Sequence, residues 1–268
     1  MSAGFSFKDT GEMRAYPLFC GGDMMDMSVF DPFDPNVGTK VFNPYFIYVI
    51  THPQGNVLFD AGVHPKLRTD PRSRLGDLAD IFEVIMTDED WVIPCLARIG
   101  MVPADIDYVV QSHLHFDHTG GLEFLKKSKI FIQRLELAVA RKPPIYQKDV
   151  YVDIDFEHDL DWIELDGEHD IFSDGMLRII PTPGHTIGSQ SLLVNLQSQP
   201  LFLLGDCVYL LEKMRQRLLP GVIWSPDAQI ETWDMLEKVE RETGARLVPT
   251  HEIDYLDSVP MAPNAWYS

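Results

Sequence analysis

One short segment, His113-Leu-His-Phe-Asp-His118, constrains the fold and chemistry of this chain more than any other. It places four side chains that can bind metal ions within six residues. Residues 107–112 before it predict a buried strand, and a Thr-Gly-Gly turn follows it. Because alternate residues of an extended chain point to the same side, the first two histidines can share one cation. The aspartate and the last histidine lie beyond the strand, where the chain can curl toward a second cation.

Further candidate ligands follow other predicted strands. Three apolar runs, at 177–180, 201–204 and 245–249, each end within a few residues of a histidine or an aspartate. In α/β folds, ligand sites gather at the carboxyl ends of strands. We therefore expect four strand ends to bring one ligand set together, namely His113, His115, Asp117, His118, His185, Asp206 and His251.

These motifs, in this order and approximate spacing, resemble the pattern of the metallo-β-lactamase superfamily. After H-x-H-x-D-H come Thr182-Pro-Gly-His-Thr-Ile-Gly188, Gly205-Asp206 and Thr250-His251. The earlier segment Asn56-Val-Leu-Phe-Asp-Ala-Gly62 is similar to the family's early strand, which ends in D-T-G or D-A-G. The resemblance extends over roughly residues 40–255, and as a set these motifs are very specific.

The resemblance implies an α/β fold, the αββα sandwich of the metallo-β-lactamase type, with two central mixed sheets flanked by helices. At 268 residues the chain is within the range of one large domain or two small ones. No low-complexity tract or long linker divides the sequence. We therefore predict a single metallo-β-lactamase-like domain over residues 1–268.

The resemblance also implies two divalent metal ions with a bridging water or hydroxide between them. Imidazole and carboxylate ligands suit Zn, Fe, Mn and Co ions alike, and Zn²⁺ is our first choice. Such a pair of ions would produce a hydroxide nucleophile at neutral pH, directed at an acyl carbonyl or at phosphorus. The implied division of ligands is His113, His115 and His185 on one ion, Asp117, His118 and His251 on the other, and Asp206 on both.

A narrower resemblance is to the N-acyl-homoserine lactonases, a branch of this superfamily. They carry D-x-x-Y, which is Asp206-Cys-Val-Tyr209 here, together with the patterns at Ser112–His118 and Thr182–Ser191. The resemblance implies a quorum-quenching hydrolase in which a metal-bridging hydroxide opens an N-acyl-homoserine lactone. The hydroxyl of Tyr209 would donate to the substrate carbonyl oxygen, and Asp117 would pass a proton to the leaving alkoxide. A plain core role for Tyr209 stays open.

Other functions share this ligand set. A thioester hydrolase similar to glyoxalase II is the main alternative, although residues 254–268 contain no Lys or Arg for binding glutathione. A phosphodiesterase or RNA-processing nuclease is a second alternative. An oxygen-reducing di-iron protein normally has Glu at the position of His115, and class B β-lactamases lack the bridging carboxylate that Asp206 supplies. A non-catalytic binding module has no evident need for two metals that polarise water.

The net charge of −19, from 22 basic and 41 acidic residues, restricts the partners. Phosphate backbones are bound through Lys and Arg, so the charge disfavours nucleic acid and, more weakly, strongly anionic substrates. We expect a small-molecule lactone as substrate, no nucleic-acid or membrane partner, and a monomer or a homodimer.

The cysteines and the first residues bear on localisation. Cys20, Cys95 and Cys207 cannot form a complete set of disulfides, which favours a reducing compartment. Residues 1–9 have no basic region followed by an apolar run, so they do not predict a signal peptide. We therefore predict a cytoplasmic protein. Cys207 directly follows a ligand, but we interpret it as a small buried hydrophobe.

Several predictions concern secondary structure. Residues 20–38, rich in Met, Phe, Asp, Pro and Gly, predict an irregular loop that either plugs the fold or lines an apolar pocket. Residues 77–86 and 87–99 predict two helices, and Pro94 should kink the second or delay its start. Residues 225–244 predict the clearest helix, with proline at its first position and glycine after its end.

Four polar features outside the ligand set remain. Asp60 either accepts a ligand histidine's N–H or forms a turn before Gly62. We expect His64 on the surface, and we expect the acidic run 153–161 to be a solvated loop. Glu252 replaces the Asp of the lactonases' usual G-H-D ending, so the acyl specificity stays open.

Overall fold

Two β-sheets pack face to face, and their apolar inner faces form the centre of the protein. In this computed structural model, which describes residues 12–268, Phe46 and Val110 of one sheet meet Leu192 and Leu203 of the other. Helices cover both outer faces with separate apolar clusters. Both sheets contain parallel and antiparallel pairs, so the predicted αββα fold class is confirmed.

The strands divide into a sheet of seven and a sheet of five. Within residues 12–268 they are β1 (Arg14–Asp26), β2 (Lys40–Thr51), β3 (Val57–Phe59), β4 (Glu83–Ile85), β5 (Tyr108–Val110), β6 (Lys129–Gln133), β7 (Asp161–Leu165), β8 (His169–Asp170), β9 (Leu177–Pro181), β10 (Gln190–Val194), β11 (Leu201–Gly205) and β12 (Arg246–Pro249). The larger sheet has the order β4-β1-β2-β3-β5-β6-β7, and the smaller has the order β12-β11-β10-β9-β8. The pairs β3–β5, β5–β6, β6–β7 and β11–β12 are parallel.

The helices are mostly short. In the described part of the chain they are α1 (Arg72–Leu75), α2 (Val92–Arg98), α3 (Phe116–Thr119), α4 (Arg134–Ala140), α5 (Asp153–Phe156), α6 (Leu211–Arg215), α7 (Pro226–Thr243) and α8 (Tyr255–Ser258). No helix within residues 12–268 is long and apolar enough to cross a membrane. The segment that bears on the signal-peptide prediction, residues 1–9, lies outside the described residues.

Helix α7 confirms the clearest helix prediction. The Ser225 side chain accepts a hydrogen bond from the backbone N–H of Ala228, which satisfies one of the free donors at the helix start. Gly244 ends the helix in the left-handed conformation, with φ of 70°. The face that carries Trp233 and Leu236 is buried against the smaller sheet, as the spacing of the apolar residues predicts.

The two helices predicted over residues 77–99 are only partly correct. Residues 76–80 form a short 3₁₀ turn, and residues 83–85 form β4, which pairs with the open edge of β1. This long-range pairing satisfies the backbone groups and outweighs the local helical preference. The second helix exists but begins at Val92, and Pro94 lies in its first turn, where a proline is tolerated. The delayed start is therefore confirmed.

The prediction of an irregular loop over residues 20–38 is wrong for its first part. Strand β1 continues to Asp26 because β2 and β4 pair with it on either side. The two glycines that suggested a loop lie instead at a bulge, where the register shifts between Phe19 and Gly22. A Cβ atom on Gly22 would lie 2.4 Å from the carbonyl oxygen of Asn43, so only glycine fits there.

The predictions for His64 and for part of residues 153–161 are also wrong. His64 is buried rather than on the surface, and Asp155 is buried within α5 rather than solvated. Both contact Arg74 of α1, whose guanidinium forms an ion pair with Asp155 and lies 2.7 Å from Nε2 of His64. Glu123 also pairs with His64. One acid of an otherwise exposed run can thus be buried when a cation from a distant segment pairs with it.

We predict that Arg74→Leu lowers the free energy of unfolding by about 3–5 kcal/mol, because it leaves the Asp155 carboxylate buried without its partner. Arg72→Leu, in the same short helix, is the matched control. Its ion pairs with Asp77 and Asp80 are exposed, so a loss below about 1 kcal/mol is expected. Urea denaturation of both variants measures the difference, and equal losses would contradict a structural role for the buried pair.

Candidate metal centre

The seven predicted ligand side chains come together at the carboxyl ends of four strands. The histidine-rich motif follows β5 and includes α3, and the other ligands follow β9, β11 and β12. Within each of two groups, one ligand atom per residue lies within 4.8 Å of all the others. All seven residues have little or no exposed surface except Asp117, which is intermediate. The groups are His113, His115 and His185, and Asp117, His118, Asp206 and His251.

The carboxylate of Asp206 lies between the two groups, with one oxygen toward each. Its Oδ1 atom is 3.1 Å from Nε2 of His118 and 3.0 Å from Nε2 of His251. Its Oδ2 atom is 3.6 Å from Nε2 of His185 and 3.9 Å from Nε2 of His113. Asp206 therefore has the position that a carboxylate shared by two cations requires.

Four of the histidines are held by contacts at Nδ1, and this leaves Nε2 directed into the site. A backbone carbonyl at Nδ1 fixes the tautomer in which Nε2 carries a lone pair for a cation. The Nε2 atoms of His113, His118 and His251 are buried and lie within 3.9 Å of the Asp206 carboxylate, but none forms a hydrogen bond of good geometry, as expected of metal ligands. The Nδ1 contacts are Ser112 Oγ to His113 at 3.0 Å, Asp60 Oδ2 to His118 at 2.8 Å, the Val222 carbonyl to His185 at 3.1 Å and the Pro44 carbonyl to His251 at 2.9 Å.

The three histidines of the first group are suited to a cation by their charge state. Burial lowers the pKa of His113 and His115 well below the usual histidine value, and it lowers the pKa of His185 as well. The rings are therefore neutral at pH 7. His115 faces the group through Nδ1, which lies 3.0 Å from Nε2 of His185. Two neutral ring nitrogens this close, with a third nearby, form a nitrogen-rich site for one ion.

The second group combines two histidines with two carboxylates. Burial would lower the pKa of His118 and His251, but the carboxylates of Asp206 and Asp117 raise the pKa of both rings above the usual value. Burial would likewise raise the pKa of Asp206, yet the neighbouring histidines hold it well below its usual range. This group therefore attracts positive charge. A divalent cation can replace the protons that the two histidine rings would otherwise bind.

Asp60 supports the site rather than forming only a turn. Its Oδ1 atom accepts from the backbone N–H of Ser112 at 2.7 Å and from the side chain of Gln111 at 3.2 Å. Its Oδ2 atom accepts from the Ser112 hydroxyl at 2.8 Å and contacts His118. Asp60 has a φ of 60°, an unusual conformation outside glycine, which these four contacts hold in place.

Glu136 on α4 is a supporting residue that sequence reasoning missed. It is fully buried, and its carboxylate accepts from the backbone N–H of Leu114, from that of Gly188 and from the hydroxyl of Tyr151, each at 3.1 Å. It thereby joins the histidine-rich motif to the loop of His185. A Cβ atom on Gly188 would lie 2.5 Å from the backbone nitrogen of Glu136, which explains the glycine. No local signal distinguishes Glu136 from a solvated glutamate on a helix.

Tyr209 lies beside the metal ligands in the wall of a narrow cleft, in which the space open to a water molecule is about 30 Å³. Its ring centroid is 5.5 Å from that of His185 and 5.4 Å from that of His251. Burial and the carboxylate of Asp206 raise its pKa well above the usual value, so the hydroxyl keeps its proton. Met25 and Phe30 pack against Tyr209, so residues 20–38 contribute to this apolar wall. The cleft is lined by Asp23, Met25, Asn43, Phe82, His115, Phe116, Asp117, Val150, Asp206, Tyr209, Val222 and His251.

Comparison with curated proteins gives relatives named as N-acyl homoserine lactonases. N-acyl homoserine lactonase AttM of Azorhizobium caulinodans is 34% identical over 226 residues, which cover 82% of this chain and 86% of the relative. N-acyl homoserine lactonase AiiA of Bacillus thuringiensis subsp. kurstaki is 26% identical over 228 residues, covering 84% of this chain and 88% of that protein. The similarity therefore extends over most of both chains.

Solved structures share the fold. An N-acyl homoserine lactone hydrolase with the product N-hexanoyl-L-homoserine bound at its catalytic metal centre has a TM-score of 0.83 at 24% identity, covering 94% of this chain and 98% of that chain. AidC, a dizinc quorum-quenching lactonase, has a TM-score of 0.68 at 16% identity, covering 98% of this chain and 96% of that one. At these identities the likeness concerns the fold.

The family itself follows from the sequence match. The family model described as the metallo-beta-lactamase superfamily matches residues 42–251, which is most of the chain. The matched span begins in β2 and ends at the last candidate ligand, His251. Together with the 34% identical relative, this match means that the chain belongs to the metallo-β-lactamase superfamily.

Proposed function

We propose that this chain is a metal-dependent hydrolase that opens the ring of N-acyl homoserine lactones. The observation that carries the proposal is the division of the Asp206 oxygens between two ligand groups, with the protonated Tyr209 beside them. The relatives named as N-acyl homoserine lactonases support this substrate class. The substrate is a small molecule, and its acyl chain would lie against the apolar wall of the cleft.

The seven residues would hold two divalent ions, and we propose Zn²⁺ in both places. The first ion would bind His113, His115 and His185, the second would bind Asp117, His118 and His251, and Asp206 would bind both. Imidazole and carboxylate donors fit Zn²⁺ well, although Fe, Mn and Co ions accept the same ligands. When bound, such a pair polarises an ester carbonyl and lowers the pKa of water toward neutrality.

The protein's own side chains complete the reaction. The Tyr209 hydroxyl donates a hydrogen bond to the substrate carbonyl oxygen and stabilises the negative charge that develops there. Asp117 lines the cleft, with its carboxylate 3.5 Å from Nε2 of both His118 and His251. From this position the Asp117 carboxylate would take a proton from the water that attacks the carbonyl carbon, and it would pass this proton to the ring oxygen as the C–O bond of the lactone breaks.

Two alternative activities are disfavoured by the lining of the cleft. Thioesters of glutathione and phosphodiesters both carry anionic groups that Lys or Arg would bind. Among the described residues that line the cleft there is no Lys or Arg. Turnover of a panel of lactones, thioesters and phosphodiesters by the purified protein distinguishes the three activities. Hydrolysis of thioesters alone would overturn the lactonase proposal while leaving the hydrolase class intact.

Two further features belong to this proposal. We infer that residues 1–268 form one domain, because the two described sheets share a single apolar core. We also infer a cytoplasmic location, since Cys20, Cys95 and Cys207 are all free thiols.

We predict about two metal ions per chain, because seven ligands exceed the four of one tetrahedral ion. Elemental analysis of protein purified without chelator measures the number and identity of the ions, and activity is measured on the same sample. A reproducible ratio of one ion per chain at full activity would contradict the shared role of Asp206.

Asp206→Asn should be the most damaging single ligand change, because one side chain serves both groups. It keeps the volume but removes the charge that would balance two dications, so metal content and turnover should fall together. Asp166→Asn is the control, since it removes the same charge from a side chain that is 69% exposed. Retention of both ions and near-normal turnover in Asp206→Asn would refute the bridging position.

Tyr209→Phe removes one hydroxyl and little volume. Turnover of the best lactone should fall by about tenfold to a thousandfold with metals still bound, because one donor to an oxyanion has an effect of that size. The matched control is Tyr255→Phe, a buried tyrosine whose hydroxyl contacts the Leu247 carbonyl instead of the cleft. If both variants keep normal turnover, Tyr209 has only a packing role in the core. The main residue that favours a lactone over a thioester as substrate would then no longer support that choice.

A further inference from the structure

An unpaired carboxylate, that of Asp23, lies in the wall of the cleft. Asp23 has no exposed surface, and neither of its oxygens forms a hydrogen bond of good geometry, although the side chains of Tyr45 and Asn43 lie next to it. Burial raises the pKa of this carboxyl group to about 7. It belongs to neither of the two ligand groups described above. A buried carboxylate without a partner is costly to the fold, and native proteins retain few of them. Asp23 therefore calls for an explanation outside the folding of the chain.

Neighbouring polar atoms on β2 are unpaired in the same way. Asp23 on β1 is directly opposite Asn43 in the antiparallel register, so the two side chains are on one face of the sheet. Tyr45, two residues further along β2, shares that face. The Oδ1 atom of Asn43 and the hydroxyl of Tyr45 are buried and have no hydrogen-bond partner. The three side chains form one polar patch, which we call the Asp23 patch.

The Asp23 patch adjoins the metal centre. The ring of Tyr45 packs edge-on against that of His251, with centroids 5.6 Å apart. Asp23 and Asn43 line the same cleft as Asp117, Asp206 and Tyr209. If the reacting carbonyl of a substrate lies at Tyr209, the substrate groups next to that carbonyl would therefore face the Asp23 patch.

The patch offers two hydrogen-bond acceptors, on Asp23 and Asn43, beside the hydroxyl group of Tyr45. The Asp23 carboxylate is an acceptor, and the amide of Asn43 already uses its Nδ2 atom toward the sulfur of Met25, at 3.3 Å. Its free Oδ1 atom is thus a second acceptor. A complementary ligand group must donate a hydrogen bond. An N-acyl homoserine lactone with an unmodified alkyl chain has one such donor, the amide N–H on the carbon next to the reacting carbonyl.

We propose that Asp23 accepts a hydrogen bond from the substrate's amide N–H, and that the Asp23 patch selects lactones that carry such an amide. This inference rests on the proposed lactonase function and extends it to the substrate class. Asp23 acts as a specificity residue, because it binds a group that takes no part in bond breaking. Met25, a flexible side chain on the same strand, gives the apolar wall beside the patch room to adapt.

The test compares two substrates that differ in this one donor. They are N-hexanoyl homoserine lactone and 2-hexanoyloxy-γ-butyrolactone, in which an ester oxygen replaces the N–H, with products identified by mass spectrometry. Asp23→Leu replaces the acceptor with a larger apolar side chain, and Asp23→Asn is a second variant that keeps the volume and removes the charge. Asp77→Asn, which removes a charge from a fully exposed side chain, is the control. All proteins are assayed with their metals bound.

We expect Asp23→Leu to lower kcat/KM for the amide substrate by about tenfold to a hundredfold, since a hydrogen bond to a charged group has an effect of that size. The value for the ester analogue should change by less than about threefold. The thermal midpoint should rise by about 2–4 °C, because a buried polar group has been replaced by an apolar side chain. Asp77→Asn should leave both rates unchanged.

The outcomes separate this inference from the proposed function. Equal losses on both substrates, or no loss on either, would overturn the role of Asp23 while the lactonase activity stands. A lower thermal midpoint together with equal losses would show that Asp23 has a structural partner. If the unaltered protein opens neither lactone, the proposed function fails, and the inference about Asp23 fails with it.

Discussion

The rest of the site depends on the position of the Asp206 carboxylate at the end of β11. One of its oxygens faces His118 and His251, and the other faces His185 and His113. A buried carboxylate is stable only when opposite charge or hydrogen bonds surround it, so the two ligand groups and their cations must assemble around it together. Any shift of one strand end would therefore disturb both groups, which explains why several rigid strands, rather than one loop, supply the ligands.

Other buried carboxylates hold the ligand loops in place. Asp60 connects β3 to the histidine-rich motif through Ser112 and His118. Glu136 connects that motif to the loop of His185 by accepting two backbone N–H groups. Their partners satisfy these charges, whereas the oxygens of Asp23 in the cleft wall form no hydrogen bond of good geometry. We therefore assign Asp60 and Glu136, whose hydrogen bonds are satisfied, to support of the scaffold, and Asp23, whose hydrogen bonds are not, to recognition of a ligand.

The wall opposite the metal ligands is built from the end of β1 and the loop that follows it. Lys213 of α6 holds this loop through ion pairs with Asp31 at 2.9 Å and with Asp34 at 2.5 Å. The tethered loop places Phe30 edge-on against Tyr209, with ring centroids 5.7 Å apart. Under the proposed function, metal chemistry and substrate selection therefore belong to different parts of the fold. The strand ends carry the candidate metal ligands, and β1 with its loop lines the space proposed for the acyl group.

The sequence by itself determined the family, the αββα fold and the seven candidate ligands. Each ligand follows soon after an apolar run, and this pattern can be recognised in the sequence without the fold. It also determined α7, whose capping residues and apolar spacing are local signals. Only the tertiary structure decided that β4 pairs with β1, that His64 is buried, and that Glu136 joins two ligand loops. The unpaired state of Asp23 also emerges only there, because the partners of a buried charge come from distant segments that no local pattern specifies.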